Sequence, residues 1–164
     1  VFRIESLRPE HAPDLLAFER RNRAYFARSV PDRGDDYFAS FDARHAALLA
    51  EQDQGVCRFH VVVDEAGAII ARVNLLDCVG GSAELGYRVA ERAAGRGVAT
   101  AAVREICGLA VAAYGLSALT AQTTIDNAGS RAVLARAGFV PTGPVTLSGR
   151  LGLRYAKGLT ATKN

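Results

Sequence analysis

A mixed α/β (α+β) domain, with a mostly antiparallel central sheet of about seven strands and about four helices on its two faces, is the fold class that this sequence predicts. Three features point there. Short runs rich in β-branched and aromatic residues alternate with segments of helical apolar spacing. Three of the extended runs follow one another in mid-chain with only turns between them. A long helix, apolar on nearly every side, comes next and has the composition of an element covered by a sheet.

Residues 1–7 alternate loosely and end at Arg8-Pro9, where a strand gives way to a helix carrying Ala12, Leu15, Leu16 and Phe18 at helical spacing. After a Pro31-Asp32-Arg33-Gly34 break, residues 35–51 repeat that spacing with Phe38, Phe41, Ala46 and Leu49, which predicts a second helix. The period then changes. Residues 56–64 are extended, Asp64-Glu65-Ala66-Gly67 reads as a turn, residues 68–76 are extended again, and Gly80-Gly81 separates this hairpin from a third strand at 83–89. Residues 98–114 form the long helix, with Thr100, Arg104 and Glu105 its clearly polar members and Gly115 its C-terminal cap. A strand at 118–124, a short helix at 128–137 closed by Gly138, and a strand pair at 139–147 and 153–159 complete the chain without repeats or low-complexity tracts.

The chain has 164 residues, 49% hydrophobic and 23% charged, which suits one domain over 1–164 that buries a core without disulfide or structural metal. Its net charge of +3 is too small to predict a nucleic-acid partner. Arg20, Arg21, Arg23, Arg28 and Arg33 crowd one stretch and read as a solvated helix face. Cys57, Cys78 and Cys107 lack CxxC spacing, and His11, His45 and His60 lack ligand spacing, so buried thiols in a reducing compartment are expected and no metal is assigned. No apolar run approaches the roughly 18 residues of a membrane span, and the start lacks the pattern of a signal peptide, so a soluble cytoplasmic protein is expected. With Val1 first and no methionine anywhere, an initiator removed or omitted ahead of it is expected.

Chemistry concentrates where strand 83–89 runs into Arg92-Ala93-Ala94-Gly95-Arg96-Gly97-Val98-Ala99 and the long helix begins. A diphosphate needs several backbone N–H donors unobstructed by side chains, and glycines at a helix N-terminus provide them together with the positive end of the helix dipole. A P-loop would need Gly-Lys-Ser/Thr at the end of the loop, and a dinucleotide fingerprint would need a third glycine and a later acidic residue after a parallel βαβ unit. Neither is present. A plain turn before a helix is the other reading of so short a motif.

The run Arg92-x-x-Gly95-x-Gly97 resembles the acetyl-CoA pyrophosphate loop, Arg/Gln-x-x-Gly-x-Gly/Ala, of the GNAT acetyltransferase superfamily. The order strand, two helices, three strands, helix, strand, helix, two strands resembles the GNAT fold over essentially the whole chain. Asn127-Ala128-Gly129-Ser130, with Gly138-Phe139 beginning eight residues after the serine, resembles the family's Asn-x-x-Ser/Ala and Gly-Phe signature. Arg72-Val73-Asn74-Leu75, Ala83-Glu84-Leu85-Gly86-Tyr87-Arg88-Val89 and Ser130 are similar to the RimJ/RimL-type branch, which acetylates protein N-terminal amines and includes relatives with small-molecule acceptors. Asn22-Arg23 is similar to that branch's acceptor-side Asn-Arg. The Pro-Trp usual in the branch is replaced by Ser29-Val30-Pro31, and the chain has no tryptophan, so acceptor recognition is what transfers least.

The resemblance implies acetyl-CoA as acetyl donor, held by Tyr87, Arg88 and Val89 on the strand, by Arg92, Gly95, Arg96, Gly97, Val98, Ala99 and Thr100 at the loop and helix start, and by Asn127 and Ser130. It implies an acceptor amine near Asn22, Arg23, Asn74 and Tyr155; Asn74 has the alternative of satisfying a buried backbone group, and Tyr155 that of filling the core. An ammonium cannot attack a thioester, so a base must take its proton, donors must hold the carbonyl oxygen and an acid must meet the thiolate. Glu84 is the candidate base, through a water, against the reading of an ordinary strand carboxylate paired with an arginine. Main-chain N–H groups near residues 87–89 are the oxyanion donors. Many family members place an acidic Tyr seven residues after the Asn; Leu134 stands there, which leaves Ser130 as the acid, or as a hydroxyl that caps its own helix. The implied partner is a ribosomal protein or other peptide N-terminus, with the enzyme a monomer or homodimer. A polyamine, antibiotic or metabolite acetyltransferase, a non-catalytic acyl-CoA-binding module and a nucleotide-binding enzyme are the competing functions.

Overall fold

The alternating and β-branched runs assemble into one seven-stranded sheet, ordered β1-β2-β3-β4-β5-β7-β6, in a computed structural model that describes residues 1–160. Its strands are β1 (Phe2–Ser6), β2 (Arg58–Asp64), β3 (Ile69–Val79), β4 (Ser82–Val89), β5 (Ala118–Thr124), β6 (Val140–Leu147) and β7 (Arg150–Gly158). Neighbours pair antiparallel except β4 with β5. Two hairpins close through residues with positive φ at both central positions, Gly80 and Gly81 between β3 and β4 and Ser148 and Gly149 between β6 and β7, the turn geometry whose twist matches paired strands. The last strand begins at Arg150 rather than at 153, because this tight turn lets pairing start at once, at Leu147↔Arg150.

The helices are α1 (Ala12–Arg21), α2 (Arg23–Phe26), α3 (Asp35–Ala39), α4 (Phe41–Asp53), α5 (Val98–Ala112) and α6 (Ala128–Arg136). The two helices expected before the hairpin are therefore four. Asn22 and Ser40 make the breaks, with φ of −102° and −109°. Each side chain bonds back to a carbonyl four residues earlier, Asn22 Nδ2 to Phe18 O at 2.9 Å and Ser40 Oγ to Asp36 O at 2.6 Å. Short polar side chains compete with the helical ladder in this way. Later in the chain, α5 stops ahead of Gly115 as expected: the chain turns back at Gly115, φ +65°, so that Leu116 N donates to the otherwise unpaired Ala110 O in the last turn of the helix at 2.8 Å.

The sheet buries both faces. Val73, Leu75 and Leu85 pack on one side with Ala102, Val103 and Ile106 of α5. Phe59, Val61 and Val63 pack on the other with Leu15, Phe18 and Phe41 of the first helices. Cys57 and Cys107 are buried and Cys78 half-buried, all as free thiols, and burial pushes each thiol above its ordinary range. Among the described residues, no helix is long and apolar enough to cross a membrane.

One carboxylate lies fully inside. Glu19 of α1 is 1% exposed and meets Arg72 of β3 at 2.9 Å, Arg33 at 3.3 Å and Arg88 of β4 at 3.4 Å. The arginine stretch is thus not a uniform solvated face. Arg33 turns inward to Glu19, Arg23 pairs with Asp32 and Asp35, and Arg28 reaches Glu91, which leaves Arg20 and Arg21 exposed. Removing one member of a buried ion cluster strands the others, at about 3 kcal/mol. Urea unfolding of Glu19→Ala is expected to show a loss of that order, against almost none for the exposed control Glu10→Ala; equal stabilities would remove Glu19 from the framework.

Candidate active site

β4 and β5 run parallel only from Ser82↔Ala118 to Leu85↔Ala121. Past that point β4 stays with β3 through Val89↔Ala71, and β5 stays with β7 through Thr124↔Gly152. Each strand follows the twist of its own antiparallel neighbour, so the two diverge. The main-chain groups of residues 86–89 that face β5 have no ladder partner there, and buried backbone groups require one. The opening leads into a cavity of about 680 Å³, a size typical of small-molecule sites, walled by β4, β5 and the starts of α5 and α6.

The loop beneath it ends in two left-handed residues, Gly95 at φ +72° and Gly97 at φ +76°, the latter the N-cap of α5. A Cβ at either position would meet nothing within 4 Å, so backbone conformation rather than crowding within the protein calls for glycine. Val98, Ala99 and Thr100 line the cavity, which therefore looks onto the unpaired amides of the first turn of α5. The dipole of this 15-residue helix adds a positive field there.

Asn127 caps α6, its Oδ1 accepting from Ser130 N at 3.1 Å. The Ser130 hydroxyl is consequently not the cap. It lies 2.9 Å from the Tyr87 hydroxyl, across the cavity wall from β4. Burial pushes the Tyr87 phenol above its ordinary pKa, with the Ser130 hydrogen bond offsetting part of the rise, so Tyr87 stays protonated through the neutral range.

Strand alternation separates two sides of β4. Ala83 and Leu85 face α5, and Glu84, Gly86 and Arg88 face α1 and α2. On β3, Asn74 stands opposite Gly86 and Arg72 opposite Arg88. A Cβ at Gly86 would meet nothing within 4 Å, so open space lies over this point of the strand. Beside it, Asn74 Oδ1 is buried without a hydrogen-bond partner. The Arg88 guanidinium stacks over Phe26 at 4.9 Å, and Tyr25, Phe26 and Pro31 form the cavity wall on this side.

Of the residues expected to hold the donor, Tyr87, Arg88, Val89, Gly95 and Gly97 line this single cavity, as do Val98, Ala99, Thr100, Asn127 and Ser130. Two do not. Arg92 leans 3.4 Å from Asp64 and lines a smaller groove beside α1, and Arg96 is exposed. Three residues expected on the acceptor side serve the framework instead. Asn22 is consumed by Phe18 O and by Glu91 N, tying the loop after β4 to α1. Arg23 is held by Asp32 and Asp35, and Tyr155 is 3% exposed within the core. Glu84 lies half-buried just off the cavity and makes no ion pair among the described residues. Sequence reading missed Glu19 because a carboxylate beside Arg20 and Arg21 on a helix reads as solvated; its burial follows from tertiary contacts alone.

Residues 2–140 match the family described as Acetyltransferase (GNAT) domain. No curated protein sequence matches the chain. Among solved structures, a ribosomal-protein-alanine acetyltransferase from Vibrio fischeri is similar with a TM-score of 0.90 at 21% identity, over 99% of this chain and 96% of that one. RimJ of Mycobacterium smegmatis, in complex with a CoA disulfide, is similar with a TM-score of 0.85 at 24% identity, over 96% and 82%. A spermidine N-acetyltransferase SpeG chimera from Vibrio cholerae reaches 0.76 at 16% identity, over 94% and 93%. At such identities the structural likeness speaks for the fold. The family match spans most of the chain, including the strand, glycine loop and long helix that build the cavity, and by it this protein belongs to the GNAT acetyltransferases, enzymes whose acyl donor is acetyl-CoA.

Proposed function

We propose that the protein acetylates a primary amine at the N-terminus of a protein or peptide, by direct attack within a ternary complex in the cytoplasm. The observation that carries this reading is the divergence of β4 from β5 onto the glycine-led start of α5, which gathers unpaired amides along one cavity. The ribosomal-protein acetyltransferases among its structural neighbours, one of which modifies the N-terminal serine of protein L7/L12, favour an N-terminal amine as acceptor. None of the cysteines or histidines lines the cavity, which favours direct attack over an acyl-enzyme.

Acetyl-CoA supplies the activated acetyl thioester. Its diphosphate suits the amides of residues 96–99, and its pantetheine arm suits the unpaired edge of β4 and the free NH2 group of Asn127. The amides of residues 87–89 hold the thioester oxygen as charge develops on it. On the opposite side, the acceptor nitrogen occupies the space over Gly86 and donates to Asn74 Oδ1. Glu84 takes the ammonium proton through a water. As the C–N bond forms and the C–S bond breaks, Ser130, held by the Tyr87 hydroxyl, gives its proton to sulfur, and the proton still on the new amide nitrogen passes through solvent to restore the serine hydroxyl.

A methyl group at Gly97 stands between the amides and the diphosphate, and its left-handed φ costs about 1 kcal/mol. Gly97→Ala is expected to raise the KM for acetyl-CoA about tenfold; unchanged cofactor affinity in the folded variant sinks the assignment. Glu84→Gln is expected to lower kcat about 10²-fold with acetyl-CoA binding retained, a deficit that shrinks at high pH where more acceptor is already neutral. Wild-type rates would remove Glu84 from the reaction. Ser130→Ala should lower kcat, less so with an acyl donor of more acidic thiol, and leave Tm unchanged because Asn127 holds the cap. Asn127→Ala instead costs about 1 kcal/mol of stability. A Ser130→Ala protein with full single-turnover rates would take the serine out of the acid role.

A further inference from the structure

The acceptor side of the cavity is positively charged. Arg33, Arg72 and Arg88 share Glu19 as their one carboxylate partner among the described residues, three guanidiniums against one anion. Of the three, Arg88 lines the cavity, held over Phe26 on one side and tethered to Glu19 on the other. No aspartate or glutamate lines the cavity. Arg136 of α6 and Arg150 of β7 also line the cavity, and Arg150 is already paired with Asp126. A site for a polyamine needs carboxylates to hold the ammonium groups that do not react; Glu84 is already taken as the base for the reacting amine, and the charged groups that line the cavity itself are arginines.

Resting on the acetyl-transfer reading above, we propose that the acceptor carries a carboxylate close to its reacting amine and that the Arg88 guanidinium binds it. The amine sits over Gly86 beside Asn74, and the carboxylate lies one residue pair further along the strand. Cα atoms four residues apart on a strand are about 13 Å apart, so Glu84 and Arg88 bracket the open position from its two ends. Glu19 is a positioning residue: it touches no substrate, but it pins the guanidinium by one edge and leaves the rest to face the ligand. Burial and the charges of Arg33 and Arg72 disfavour the charged form of Arg88, strain that an incoming anion relieves. The carboxylate has two chemical sources, an acidic side chain in the first two residues of a peptide or the α-carboxylate of a free amino acid.

The test compares matched acceptors that differ only in that charge. Peptides with Asp or Asn at the second position, free amino acids and their amides, and spermidine are assayed with wild type, Arg88→Gln and Arg88→Lys. A charge-assisted contact predicts a kcat/KM at least about tenfold higher for the Asp peptide than for its Asn twin, or for the free amino acid than for its amide; the pair that discriminates names the source. Arg88→Gln should reduce that ratio to within about threefold, and Arg88→Lys should restore part of it. Equal rates for both members of both pairs, a preference for spermidine, or discrimination that survives Arg88→Gln overturns the proposal. Calorimetric titration of the matched N-acetylated products in the presence of CoA reads the same discrimination without turnover. If no amine is acetylated, the acetyl-transfer reading fails alone when the carboxylate product still binds at least about tenfold tighter, and the carboxylate proposal fails with it when the two products bind alike.

Discussion

Two parallel strands that pair for four residues and then part are the constraint on which the rest of this molecule depends. Had β4 and β5 stayed together, every amide along residues 86–89 would be spent on the ladder and the sheet would close over the cavity. They part because each is bound more extensively to another neighbour, β4 to β3 and β5 to β7, and twist carries those pairs away from each other. An opening at this point exposes backbone donors without any polar side chain having to be buried. The glycine-led turn into α5 then brings a helix N-terminus to the same opening. In the proposed binding mode, donor recognition is therefore mostly a property of main chain and places little demand on side-chain identity along these strands.

The strand that forms one edge of the opening also divides the reaction into two halves. Its odd-numbered side chains pack toward α5, and its even-numbered positions, Glu84, Gly86 and Arg88, look toward α1 and α2. In the proposed reaction the donor approaches along the strand's free edge and the acceptor over the even-numbered face. The glycine in the middle of that face is what leaves room for the acceptor, since any side chain there would fill the space beside Asn74. Glu84 and Arg88, the proposed base and the proposed anion-binding group, stand at the two ends of that space.

Fold and site are coupled through Glu19. A single buried carboxylate joins α1, β3, β4 and the loop before α3, and it holds the guanidinium that faces the cavity. Buried ion clusters contribute little net stability relative to apolar packing, because desolvation offsets most of the attraction. Their retention is easier to understand where one member has a ligand to meet. The hydroxyl pair of Tyr87 and Ser130 is a smaller case of the same economy, in which Asn127 takes over the helix cap and leaves the serine hydroxyl for the cavity.

The sequence by itself determined most strands, the long helix and the glycine-led turn into it, because these depend on local chemistry. Strand runs, the Gly80-Gly81 turn, the span of α5 and its Gly115 cap follow from periodicity and from residues that tolerate positive φ, and Gly95 and Gly97 announce a helix N-terminus bare of side chains. Only the tertiary structure decided which polar side chains reach the cavity on the α1 side of β4. Arg23, Asn22 and Tyr155 have the residue types of a binding site, yet ion pairing to Asp32 and Asp35, bonding to Glu91 and burial in the core take each of them out of it. Glu19 and Arg88, 69 positions apart, meet because α1 crosses the sheet, and no local pattern encodes that contact. Backbone recognition is written in spacing; side-chain recognition is written in which elements the fold brings face to face.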